Sequence, residues 1–165
     1  MPTRAEPLGS HRTDDPPPPE CLIPIVVGAH LRAERADRPT AHALQDALAE
    51  AIATHPAYPR PAGATPPARQ PMVMTDLWYL NHDSLRAQPT ICIGPPAVNA
   101  LSAYLADKLP TVEHRAGAWL VQMDTELDAP IALAWGEHAE TTAEAVCAFR
   151  ERAMDRFLQA VRSSA

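Results

Sequence analysis

Positive charge is in short supply in this chain of 165 residues: 14 Lys and Arg stand against 20 Asp and Glu, for a formal net charge of −6. That balance leaves out the basic footprint by which proteins hold nucleic acid and describes an acidic, mixed-sign surface that favours solubility. Cysteine is sparse too. Cys21, Cys92 and Cys147 are odd in number and far apart, which speaks against a disulfide scaffold and a CxxC metal site. Cys92 sits inside the apolar run Ile91-Cys92-Ile93, the setting of a packed, inert thiol rather than a nucleophile. No run approaches the ~20 apolar residues of a membrane span, and residues 1–20 hold no apolar stretch resembling a secretion signal. These absences predict a cytoplasmic protein that engages neither membrane nor nucleic acid.

Signatures of chemistry are missing as well. His11, His30, His42, His55, His82, His114 and His138 show no HExxH or paired spacing. Asp124-Thr125-Glu126-Leu127-Asp128 alternates acids but lacks the glycine and terminal glutamate of an EF-hand loop. No metal site is expected. Gly94-Pro95-Pro96 departs from the GxGxxG pattern, and its prolines remove two N–H groups that a phosphate cradle would use. Nucleophile elbows and P-loops are absent in recognisable form, so no cofactor is expected.

Proline, by contrast, is plentiful at 19 residues, and it clusters. Residues 1–20 carry Pro2, Pro7 and Pro16-Pro17-Pro18-Pro19 with few large apolar side chains, so they read as a disordered tail with polyproline character. Residues 55–71 form a Pro/Ala-rich connection. What remains, residues 21–165, is a single α/β domain interrupted by that connection.

Within it, five short apolar runs read as strands: 21–28, 71–77, 90–94, 117–124 and 130–135. Helices are predicted at 39–54, where Ala41, Leu44, Leu48 and Ile52 recur at spacings of three and four; at 95–109, opened by Pro95 and Pro96; and at 141–162, started by a Thr141–Glu144 capping box. Asp83 is placed to cap a brief helix between the second and third strands. Pro24 is tolerable only at the start or edge of its strand. Alternating strands and helices give a three-layer Rossmann-like or flavodoxin-like α/β fold of about five strands. The sheet is mainly parallel, with one antiparallel hairpin imposed by the five-residue gap before residue 130.

Such sheets bind ligands beyond the carboxyl ends of their strands, and those ends are rich in polar residues. His30, Arg32 and Glu34 would alternate on one side of an extended segment as a recognition row for an anionic ligand, or Glu34 would pair locally with Arg32 or Arg35. Asp76, beside Trp78 and Tyr79, is either a pKa-shifted acid or base or the cap of the following turn. Asn81 ends the same segment. Gly94 breaks the third strand into a turn whose free N–H groups suit an anion, and Asn99 in the next helix either contacts a ligand or ties its loop to a strand end. His30, Arg32, Glu34, Asp76, Trp78, Asn81, Gly94 and Asn99 are therefore the ligand-binding candidates; no residue is singled out as catalytic.

The element Ile91-Cys92-Ile93-Gly94-Pro95-Pro96-Ala97-Val98-Asn99 resembles the strand–GGPxxN–helix element of archaeal S-layer and related cell-surface α/β modules. The stretch from Ala132 to Ala145, a strand ending at Gly136 followed by Glu140-Thr141 at a helix start, resembles their second element. Pro95 stands where those modules have a second glycine, and Glu140 where Asp is usual. The resemblance implies an α/β scaffold with a non-enzymatic structural or binding role. Two readings of function follow: a non-catalytic binding or assembly module that meets a protein partner or its own copies, and a small enzyme or sensor for an anionic or nucleotide-like ligand at the strand ends.

Overall fold

A computed structural model describes residues 17–54 and 69–164. Most of the expected tail and of the connection at 55–71 lies outside the described residues. Of the parts described, Pro19–Cys21 closes a single 3-10 turn and Gln70 already begins a strand.

The strands are β1 (Leu22–Val27), β2 (Gln70–Thr75), β3 (Thr90–Ile93), β4 (Thr111–Arg115), β5 (Trp119–Asp124) and β6 (Ile131–Gly136). They form one sheet in the order β2-β1-β3-β6-β5-β4. β2, β1, β3 and β6 pair in parallel, whereas β5 runs against both β6 and β4. The fold is therefore α/β with a mainly parallel mixed sheet, but it has six strands and not about five. The missed strand, β4, reads Thr-Val-Glu-His-Arg and is mostly exposed at the sheet edge, so it carries almost no apolar pattern.

Alternation along the strands divides the core into two layers. Ile23, Ile25, Val27, Ile91, Ile93, Val121, Met123, Ala132 and Ala134 face helices α1 (Leu31–Thr54), α5 (Ala139–Arg152) and α6 (Met154–Ser163). Leu22, Val26, Met74, Cys92 and Leu133 face α2 (Asp76–Leu80), α3 (Asp83–Arg86) and α4 (Ala100–Leu105). Pro24 lies in a central strand, not at an edge. It is accommodated because β1 meets β3 only from Ile25 onward, so on that flank the missing N–H precedes the ladder.

The helix boundaries differ from the sequence expectations for physical reasons. α1 begins eight residues before 39 and carries Pro39 inside it. Its early turns are held by Glu34, whose carboxylate accepts two hydrogen bonds from the Arg38 guanidinium at 2.5 and 2.7 Å, a pairing at the favourable (i, i+4) spacing. The segment of Pro95 to Val98 is a turn, and α4 starts only after Asn99. The last helix is two helices meeting at Ala153, whose φ of −123° lies outside the helical range, while Phe149 and Phe157 pack edge to face across the joint at 6.0 Å. Its first turn is fixed by Thr141, whose Oγ1 accepts the N–H of His138 at 3.1 Å; the Thr141–Glu144 capping box does not form. No helix among the described residues is long and apolar enough to cross a membrane.

Candidate functional site

The parallel strands leave β1 toward β2 on one side and return to β3 on the other. The carboxyl ends of β1 and β3 thus flank the point where strand order reverses, the usual ligand crevice of this architecture. In this chain that crevice is occupied by the protein itself. Gly28, just past β1, has no side chain because a Cβ there would collide with the carbonyl of Val98 in the β3–α4 turn. The turn lies directly on the end of β1.

Two side chains lock it there. Asp76, 4 % exposed at the start of α2, accepts the N–H groups of Ala29 at 2.8 Å, Leu77 at 2.8 Å and Ala100 at 2.7 Å. One carboxylate therefore joins the β1–α1 loop, its own helix and the start of α4. Asn99, 1 % exposed, caps α4: its Oδ1 accepts from Leu101 at 3.0 Å and Ser102 at 3.2 Å. Its Nδ2 donates to the carbonyls of Ile93 at 2.9 Å and Val26 at 3.3 Å, with Cys92 Sγ at 3.4 Å. The carbonyl oxygens of β1 and β3 are thereby tied by one amide.

Beneath them, the Ser102 hydroxyl donates to the Gly94 carbonyl at 2.7 Å. That leaves the Cys92 thiol as the donor to Ser102 Oγ at 3.2 Å. Burial pushes that thiol up to about 12 against the opposing bonds from Ser102 and Asn99, so it stays protonated and unreactive. Gly94 takes φ +104°, and a Cβ there would also come within 2.6 Å of Asp37 Oδ2.

Most N–H groups around the expected anion-binding turn are already bonded: Gly94 to the Ala134 carbonyl, Val98 and Asn99 to the Pro95 carbonyl, Ala100 to Asp76, and Leu101 and Ser102 to Asn99. The Asp76 carboxylate and the Asn99 amide oxygen occupy the positions that a bound anion would take. Asp76, Gly94 and Asn99 are brought together, but as scaffold. The other candidates disperse. His30 and Arg32 stand at the start of α1, where His30 Nδ1 accepts the Arg32 N–H at 3.1 Å and the Arg32 guanidinium donates to the Glu137 carbonyl. Arg32 and Glu34 lie in α1 and His30 in the bend just before it, so the extended recognition row does not form, and Glu34 is taken by Arg38, which holds its carboxyl below the usual range. Trp78 is 61 % exposed on α2 with its ring 5.7 Å from that of His82. Asn81 closes α2 by donating to the Leu77 carbonyl at 2.7 Å.

Two residues that matter were not anticipated from sequence: Ser102 and Asp37. Asp37 is 3 % exposed on the inner face of α1. Its position was readable in principle, because Ala33, Asp37 and Ala41 continue the apolar stripe of Leu44, Leu48 and Ile52 backwards at a spacing of four. Among the described residues, no group of three or more His, Cys, Asp or Glu side chains is arranged to hold a metal ion. Comparison with known protein families and with curated proteins finds no match to this chain.

Proposed function

We propose that this chain is a non-catalytic binding or assembly module of the cytoplasm that uses the outer faces of α2 and α4 rather than the crevice at the strand ends. The observation that carries this reading is the consumption of Asp76, Asn99, Ser102 and Cys92 in bonds within the fold, while large apolar side chains stand outside. Leu77 is 59 % exposed, Trp78 61 % and Tyr104 62 %, on two helices that touch each other. Exposed Trp and Tyr side chains are what protein interfaces use as anchors. The resemblance to S-layer-type modules supports the same reading, and three unbridged cysteines suit a reducing compartment.

Sedimentation over a range of concentrations, with cross-linking to bound protein partners, tests the proposal. Association is expected in the parent protein and lost in a Leu77→Ser, Trp78→Ser double variant that keeps the parent thermal midpoint. The second reading, a sensor or enzyme for an anionic ligand, draws on a shallow depression lined by His30, Arg32, Arg35 and Ala139. A thermal shift of several degrees with nucleotides or organic anions, abolished in Arg32→Ala, would replace the first reading with this one.

A further inference from the structure

Leu77 and Trp78 on α2 and Tyr104 on α4 stand exposed on two touching helices whose inner faces are buried on the sheet. No described residue covers them. The described chain enters close by, at Pro17. Pro18 holds φ −64° and ψ 146°, which is polyproline geometry. The 3-10 turn that follows touches α3, and α3 touches α2. The entry point therefore lies on the layer of α2, α3 and α4, beside the amino end of β1. Residues 1–16 are outside the described residues. Their sequence carries Pro2, Pro7 and Pro16, with Leu8 after Pro7 and the acid pair Asp14-Asp15 just ahead of Pro16.

Length and charge fit this face. α2 starts where β2 ends, so Trp78 lies about one strand from the entry point, ~20 Å for the six residues of β1. A polyproline segment rises ~3.1 Å per residue, so the ten residues from Pro7 to Pro16 reach ~30 Å. Asp14 and Asp15 stay near the entry, the end of the layer where Arg86 closes α3 and Lys108 follows α4. Arg86 shares its charge with Asp83. The Lys108 Nζ lies 3.0 Å from the centre of the Tyr104 ring, which sets a cation at the rim of the apolar surface. Exposed aromatic rings on a groove are what proline-rich segments dock against. Tethering favours the chain's own segment: a short link gives an effective concentration on the order of mM, above that of a second copy in dilute solution.

We propose that the amino-terminal segment of this chain folds back over the α2–α4 face, Pro7-Leu8 on Trp78 and Tyr104, and must be displaced before a partner docks there. The proposal rests on the reading that this face is the interaction surface. Asp14 and Asp15 pair with Arg86 and Lys108 in the closed arrangement.

A spin label on Ser10→Cys tests the contact in the full chain, with Cys147→Ser added because Cys147 is exposed while Cys21 and Cys92 are buried. Paramagnetic broadening is expected at the Leu77 and Tyr104 amides and the Trp78 indole N–H. It should persist on dilution and vanish when Pro7→Ser and Leu8→Ser are added. The same two substitutions, without the label, are expected to raise association in sedimentation. Sharp resonances at all three positions would overturn the proposal, as would association unchanged in Pro7→Ser, Leu8→Ser. Broadening that fades on dilution and appears between labelled and unlabelled chains would also overturn it, because the contact then belongs to a second copy. Absent broadening, with association still lost in Leu77→Ser, Trp78→Ser, overturns this inference alone. Broadening with association unaffected by that double variant overturns the reading of function instead.

Discussion

Asn99 shows how much one amide can hold. Replacing it with alanine removes the cap of α4 and strands two buried carbonyls, those of Ile93 and Val26. Loss of a cap costs about 0.5–2 kcal/mol and each unsatisfied buried group about 1–3, so Asn99→Ala is expected to lower unfolding free energy by about 2–4 kcal/mol in chemical denaturation. A change under 0.5 kcal/mol would show that the amide is not structural. Asp37 acts in the opposite sense. Its carboxyl is raised in the folded state from 3.8 to about 6; the folded state therefore resists ionisation of this group, whose contribution to stability is full below about pH 4 and is lost as pH rises through 6. Relative to Asp37→Asn, the parent protein should lose about 2–3 kcal/mol over that window, measured as the difference between two denaturation series. Both residues were legible to different degrees. A lone Asn after Gly-Pro-Pro marks itself, whereas Asp37 was hidden because Pro39 reads as a helix start, and a helix begun there leaves Asp37 in a loop.

At the scale of elements, the sheet edges are guarded. Along β2, Pro71 has no N–H to offer, and the N–H of Val73 is taken by the Gln45 side chain of α1 at 3.2 Å. Edge strands with free donors recruit other chains. Gln45→Ala is therefore expected to cost less than about 1 kcal/mol in stability but to raise aggregation, followed by light scattering at constant temperature; unchanged scattering would show that Gln45 does not guard the edge. At the other edge β4 is irregular between Thr111 and Glu113 and carries Glu113 and Arg115, paired with Arg152 and Glu144. The same charges that protect β4 removed the apolar alternation by which a strand is recognised, which is why it was missed. The apolar runs of β1, β3 and β6 were plain because parallel strands are buried on both faces. The break between α5 and α6 left no mark in the sequence, since Ala153 is a good helix former and the joint is set by where Phe149 and Phe157 pack.

For the molecule as a whole, sequence pattern indicated the α/β architecture and the parallel core, and of the two roles it left open for Asp76 and Asn99 the structure shows the one that ties loops to strand ends. Polar residues at those ends were legible. That they spend their hydrogen-bonding capacity on the backbone of neighbouring loops was not, because it depends on contacts such as the Ala29 N–H with Asp76, 47 positions apart. The crevice at the strand reversal is closed by the chain's own Asp76 and Asn99. Gly28→Ala would force the Val98 carbonyl away from β1 and is expected to destabilise the fold by about 1–3 kcal/mol in thermal or chemical denaturation; an unchanged midpoint would mean that the turn does not rest on β1. The most direct measurement is native-state hydrogen exchange at the amides of Ala29, Ala100, Leu101 and Ser102, the donors to Asp76 and Asn99. The closed site predicts protection comparable to that of β1 and β3. Exchange at the rate of unprotected loop amides would contradict it and return the crevice to the list of places where a ligand binds.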